Sequence, residues 1–157
     1  AQWDKLTGLF NVDYFIRYVN RFDQKYPDVM FDVIACDIQG SHAVNEKFGR
    51  QFGDLVLRSI GISMRKLARK TGGIGCRKSG DTFLLYCPHQ EDYEQLLKKF
   101  LEDVFVEKET ASKVSLRFGV YVDAGREKDI EERFACAIIA ADSVRDNPQK
   151  ICGYYEN

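Results

Sequence analysis

The sequence has no apolar run near the roughly 18 residues that a membrane-spanning helix needs. Its longest, residues 134–141, has the length of a helix core. Net charge is nearly absent, with 23 basic side chains against 24 acidic ones for a balance of −1. The broad positive field that non-specific nucleic-acid binding requires is therefore missing, and neither a nucleic-acid partner nor direct membrane contact is expected. Histidine is scarce: His42 and His89 lie far apart without an H-E-x-x-H pattern, so no zinc-binding helix of that type is present. The five cysteines, Cys36, Cys76, Cys87, Cys136 and Cys152, are odd in number and show no C-x2-4-C pairing. A disulfide framework or zinc knuckle is thus not expected, and their apolar surroundings fit buried thiols of a reducing cytosol. No Pro-, Gly- or Ser-rich stretch marks a linker, and there is no internal repeat. A basic stretch leading into an apolar segment, the sign of a secretory leader, is also missing from the start.

What remains is an ordinary globular composition, 45% apolar and 30% charged, on 157 residues. A chain of that length buries roughly 70% of its unfolded surface, so one core can hold it without a metal or disulfide staple. It opens within a motif and closes just after an apolar strand. The expectation is one domain, residues 1–157, excised from a longer multidomain protein of the cytoplasm or from the cytoplasmic part of a membrane-anchored one.

Tyr14, Phe15, Tyr18, Val19 and Phe22 recur at helical spacing, predicting a helix over residues 12–26 that Pro27 stops. The run Val33-Ile34-Ala35-Cys36 predicts a buried strand over 29–38, ending around Asp37. A second amphipathic helix follows over 55–67, with Asp54 placed to start it. Residues 73–78 and 82–87 read as strands joined at Ser79-Gly80-Asp81. A helix over 93–105, a strand over 114–122, a helix over 130–145 and a strand over 151–155 complete the pattern. This order contains β-α-β-β-α-β, the split unit of ferredoxin-like folds. The predicted class is α+β, with a mainly antiparallel sheet of about five strands and helices packed on it. In that topology the end of the first strand lies beside the hairpin, which brings Asp37 and Asp81 to one sheet edge.

Three segments carry a family resemblance. Asp4-Lys5-Leu6-Thr7-Gly8-Leu9-Phe10-Asn11 resembles the D-x-L-T-G-L-x-N opening of GGDEF domains, the diguanylate cyclase family. Asn45-Glu46-Lys47-Phe48-Gly49 followed by Gly53-Asp54 resembles the family's N-D-x-x-G-H-x-x-G-D segment. Arg77-Lys78-Ser79-Gly80-Asp81-Thr82-Phe83 resembles its R-x-G-G-D/E-E-F signature. All three occur in the family's order and spacing.

The resemblance implies a reaction in which two GTP molecules, one on each protomer of a homodimer, become cyclic di-GMP. A 3′-hydroxyl attacks the α-phosphate of the other nucleotide and pyrophosphate leaves. Such chemistry is mostly positioning and charge neutralisation, and it implies Mg2+ held by carboxylates. Carried over by position, Asp37 and Asp81 correspond to the metal-holding and catalytic carboxylates. A strand-end acid is the structural alternative for Asp37. Asn45 and Asp54 correspond to the guanine readers, because a carboxylate accepts from the N1–H and 2-amino donors that adenine does not present. Turn residue and helix cap are their structural alternatives. Gly80 corresponds to the glycine that lets the hairpin approach phosphates, or to a turn glycine at positive φ. His42 and Arg145 stand where phosphate-gripping cations are expected, with a charge favouring a helix C-terminus as the alternative for Arg145.

The departures fall on the reaction. Ser79 replaces the signature's first glycine, and Thr82 replaces its glutamate, removing a negative charge from the metal site. Gln39 stands where a further aspartate is usual, Ser41 where an aromatic is usual, and His42 where a permanently charged lysine is usual. The last helix lacks its phosphate lysine, which falls at Asp142 or Ser143. The product-inhibition motif R-x-x-D reads Lys70-Thr71-Gly72-Gly73, so cyclic di-GMP feedback there is not expected. Transition-state stabilisation is easily abolished while ground-state binding outlives it. The leading expectation is a degenerate GGDEF domain, a regulatory GTP-binding module joined to another signalling domain such as an EAL phosphodiesterase, with weakened Mg2+ binding. The alternatives are an active diguanylate cyclase and a protein-interaction module without nucleotide binding.

Overall fold

The computed structural model describes residues 2–106 and 108–157. The chain order is β1 (Phe10–Asn11), α1 (Val12–Lys25), β2 (Phe31–Gln39), α2 (Ser41–Phe48), α3 (Arg50–Thr71) and β3 (Ile74–Ser79). It continues with β4 (Thr82–Pro88), α4 (Tyr93–Val104), α5 (Lys108–Lys113), β5 (Ser115–Tyr121), α6 (Ile130–Asp142) and β6 (Cys152–Tyr154).

β2 is buried along nearly its whole length and carries an unbroken apolar run, Val33–Cys36, because it is central and covered on both faces. Ile34, Cys36 and Ile38 point to one face, where Val56, Ile60 and Met64 of α3 and Leu97 and Phe100 of α4 pack. Val33 and Ala35 point to the other, against Phe15 and Val19 of α1 and Phe134 and Ala137 of α6. Three layers result, with the sheet between two helix pairs.

The sheet has six strands in the order β1-β3-β4-β2-β5-β6. The inner four, from β3 to β5, are antiparallel and form the predicted split unit with α3 and α4. The expectation of about five strands is corrected to six, because the two-residue β1 pairs parallel with β3. The closing β6 is also parallel, to β5.

Between β2 and α3 the chain differs from expectation. Gly40, at φ 60°, turns it into α2, a helix without a buried residue. Gly49, at φ 88°, then makes a corner from which α3 departs. Asp54 therefore does not start a helix. It is the fifth residue of α3, which begins at Arg50 and runs on to Thr71. Lys70 and Thr71 belong to the last turn of α3, and Gly72 closes it in the left-handed conformation.

The cysteines are all free, with four buried and Cys152 partly so. Burial pushes the Cys87 thiol up to about 12. His89 lies at the other end of β2 from Asp37, with Nδ1 2.8 Å from buried Asp32. Asp32 also accepts from the Tyr93 hydroxyl and from the Asp123 backbone N–H, so this cluster ties sheet to loops.

Candidate functional site

Asp37 and Thr82 are direct partners across the antiparallel β2–β4 pair, and the backbone N–H of Ile38 donates to the Asp81 carbonyl at 3.0 Å. The hairpin is thereby held against the end of β2, and the two aspartates meet as the topology predicts. The Thr82 hydroxyl lies 3.4 Å from Asp37 Oδ1 and 3.4 Å from Asp81 Oδ1. Ser41 Oγ donates to Asp81 Oδ2 at 3.1 Å, and Gln39 Nε2 to Asp37 Oδ2 at 3.4 Å. The three positions that depart from the family pattern around these carboxylates thus all carry neutral groups facing them.

Electrostatics at this end are unfavourable to charge. Burial first, then the neighbouring charges of Asp81 and Asp142, raise Asp37 above its ordinary 3.8, against the opposing pull of Thr82 and Arg145. Arg145 is exposed and commits its Nη2 to Asp142 Oδ1 at 2.6 Å. The expected phosphate cation is therefore near Asp37 but already paired. His42 is not on the cleft lining: it sits exposed on α2, with Nε2 3.1 Å from Glu46.

From Asp81 a cleft of about 520 Å³ runs toward α2 and α3, with Asp37 beside it but not on its lining. Ile38, Val44, Val56 and Leu57 give it apolar walls, and Asn45 and Asp54 supply polar groups on its helical side. Gly80 and Asp81 line its hairpin side. Four of the seven predicted residues, Asn45, Asp54, Gly80 and Asp81, share this lining. Gly80 has no positive φ, which corrects that alternative, and a Cβ there would meet nothing within 4 Å. The hairpin takes its irregularity instead as a register shift between Arg77 and Ser79.

Arg77 and Arg50 also line the cleft and were not among the predicted site residues. Arg77 donates to the Gly80 carbonyl from Nη2 at 2.9 Å, while its Nη1 lies 3.4 Å from Asp4 Oδ1. Asp4 in turn accepts from the Thr7 backbone N–H at 3.0 Å and from its hydroxyl at 2.6 Å. The opening motif therefore anchors the signature hairpin, and the arginine that opens that signature was the available signal.

Among the described residues no group of three or more histidine, cysteine or acidic side chains is arranged to hold a metal. Asp37 and Asp81 nonetheless offer hard oxygens, and a cation would relieve their repulsion. This donor pair fits Mg2+ of the kind completed by ligand phosphates and water. Chemically, the cleft joins an amide and a carboxylate suited to reading a base with an anionic end suited to a cation.

The sequence model for "Diguanylate cyclase, GGDEF domain" matches residues 1–150. The uncharacterized protein y4lL of Sinorhizobium fredii is 34% identical over 86 residues, 54% of this chain and 10% of that protein. Diguanylate cyclase VdcA of Vibrio cholerae is 30% identical over 104 residues, 66% of this chain and 29% of its own length. The matches thus span less than a third of either relative. In fold, the chain is similar to the GGDEF domain of DgcB from Caulobacter crescentus, crystallised with c-di-GMP. The TM-score is 0.79 at 18% identity, covering 100% of this chain and 97% of that one.

Proposed function

The chain belongs to the GGDEF domain family of cyclic di-GMP signalling, and from that premise we propose that it is a degenerate member. It serves as a regulatory guanine-nucleotide module whose diguanylate cyclase activity is absent or weak. The observation that carries this reading is the split character of the cleft. Its lining keeps Asn45 and Asp54, while at Asp81, beside the cleft, the Thr82 hydroxyl stands between Asp37 and Asp81 where a third carboxylate would stand.

In this reading Asp54 accepts from the N1–H and 2-amino groups of guanine and Asn45 adds a polar contact, so GTP is preferred over ATP. Asp37 and Asp81 hold Mg2+, which when bound neutralises phosphate charge and polarises the reacting oxygens. With Asp142 pairing Arg145 and His42 turned outward, neither cation carried over from the family is free to hold a pyrophosphate leaving group, and of the two arginines on the cleft Arg77 is engaged by Asp4 and the Gly80 carbonyl, which leaves Arg50. Ground-state binding outlasts catalysis under such losses. The partners proposed are GTP, a second copy of the domain, and another signalling domain of the same protein, of the EAL type. Among the described residues no helix is long and apolar enough to cross a membrane. A cytoplasmic setting is proposed because GTP is the ligand.

A second reading, an active cyclase, draws on the convergence of Asp37 and Asp81. Calorimetry with GTP and ATP, with and without Mg2+, tests the nucleotide role. GTP is expected to bind more tightly, and Asp54→Ala to erase that preference at a cost of about 1–3 kcal/mol. Equal affinities in wild type and variant would refute the guanine assignment, and no binding at all would leave a pure interaction module.

A further inference from the structure

Asn45 and Asp54 belong to different helices, and what lets both face one cleft is the corner at Gly49. The Asn45 carbonyl accepts the Gly49 N–H at 2.9 Å, and the Gly49 carbonyl accepts the Gly53 N–H at 3.2 Å. Asn45 therefore sits one turn before the corner and Gly53 one turn after it, with Asp54 next in sequence. The Asn45 side chain folds across the inside of that corner. A Cβ on Gly53 would lie 1.9 Å from Asn45 Oδ1, far closer than any real contact, and a tight 3.1 Å from its Cγ.

The identity of the crowded atoms decides what this glycine does. Beyond the helix's own backbone, the three heavy atoms nearest that Cβ are all in the Asn45 side chain: Oδ1, Cγ and, at 3.7 Å, Nδ2. Gly61 of the same helix differs: its Cβ would strike the Thr7 backbone carbonyl at 2.5 Å, so α3 itself would have to move. At Gly53 the helix need not move. Asn45 is exposed and free to rotate away, whereas the interior of α3 favours alanine over glycine by intrinsic propensity.

We infer that Gly53 is a positioning residue for nucleotide specificity: the missing Cβ is the slot that seats the Asn45 amide beside Asp54. This rests on the guanine-reading role proposed above for Asn45. A methyl group in the slot evicts the amide from the cleft, leaves Asp54 in place and leaves the fold intact. Its effect on binding and its effect on stability therefore have opposite signs.

The test is calorimetry of GTP and ATP with wild type, Asn45→Ala, Gly53→Ala and the double variant, together with thermal melts. Gly53→Ala is expected to lower GTP affinity roughly 5- to 150-fold, the range for losing one base-edge hydrogen bond. ATP affinity stays put, and the melting temperature is unchanged or slightly higher. Asn45→Ala should match that loss, and the double variant should be no worse than either single one, since both remove the same amide. If Asn45→Ala weakens GTP binding while Gly53→Ala does not, the positioning role is wrong and the guanine assignment survives. If neither variant changes GTP affinity, the assignment of Asn45 itself fails and takes the inference with it. A lower melting temperature in Gly53→Ala, with affinity loss persisting in the Asn45→Ala background, would make Gly53 an architectural residue and overturn the inference.

Discussion

Thr82 faces Asp37 directly across the β2–β4 pair, its hydroxyl 3.4 Å from Asp37 Oδ1, in the position where the family signature carries a glutamate. The hydroxyl can favour the charged form of Asp37, but it does not cancel the opposing influences. Burial and the charges of Asp81 and Asp142 still leave Asp37 raised above 3.8.

The folded protein therefore holds the Asp37 proton more tightly than the unfolded chain. Its contribution to stability is fully present below about pH 4 and is lost as pH rises through the raised folded value. At pH 7 the ionised carboxylate is a net burden on the metal-free fold. Asp37→Asn should raise the melting temperature at pH 7, by about 2–4 °C for each kcal/mol relieved. The gap should close near pH 3, where wild type is protonated. Melts of both proteins across that range check this, and a variant less stable than wild type at pH 7 would contradict it.

Thr82→Glu should act in the opposite sense. A third carboxylate beside Asp37 and Asp81 adds like charge at short range. In EDTA the variant should melt below wild type. Millimolar Mg2+ should recover the loss and shift its melting temperature more than that of wild type, since a ligand stabilises in proportion to its affinity for the native state. Equal Mg2+ responses in the two proteins would show that the missing carboxylate does not limit metal binding.

Asp4 gives a pH dependence of the other sign. Burial alone would raise it, but hydrogen bonds from Thr7 and the nearby Arg77 guanidinium hold it below 3.8. Its stabilisation is present above the unfolded value and is lost as pH falls through the depressed folded one. Asp4→Asn should cost about 1–3 kcal/mol at pH 7, and the two proteins should converge in strong acid. Because Arg77 reaches from Asp4 to the Gly80 carbonyl, hydrogen exchange at the hairpin should quicken in the variant. Unchanged hairpin protection would show that the opening motif does not brace it.

Much of this was legible because the core strands announce themselves. A run such as Val33-Ile34-Ala35-Cys36, buried on both faces, predicts a central strand, and the order of elements predicts that Asp37 meets Asp81. The α2 helix was not legible, since it buries no residue and so leaves no apolar period. Missing it hid the outward direction of His42 and the corner at Gly49, and so displaced Asp54 from inside α3 to a helix start. The two-residue β1 is too short to carry a pattern. Arg145 lies beyond the last residue of α6, and its pairing with Asp142 depends on a turn that periodicity does not describe.

The proposed loss of catalysis has a direct readout in product formation. Little or no cyclic di-GMP should form from GTP and Mg2+, because the signature glutamate is Thr82 and the phosphate cations are compromised at His42 and Arg145. If two such charge contacts each stabilised the transition state by about 3 kcal/mol, their loss would slow the reaction by roughly four orders of magnitude. Contacts that act as a unit do not add, so that figure bounds the expectation. The reaction also needs two nucleotides on two protomers, and a monomer would be silent for that reason alone. The assay should therefore force dimers through a fused coiled coil and compare wild type, Thr82→Glu and Asp37→Ala. Clear turnover by the forced wild-type dimer, abolished in Asp37→Ala, would establish a true cyclase and overturn the degenerate reading. Activity gained only in Thr82→Glu would assign the defect to the missing carboxylate. Silence in all three is the outcome expected if the cations are the larger loss, because restoring one carboxylate does not free Arg145 from Asp142 or turn His42 from Glu46 toward the cleft.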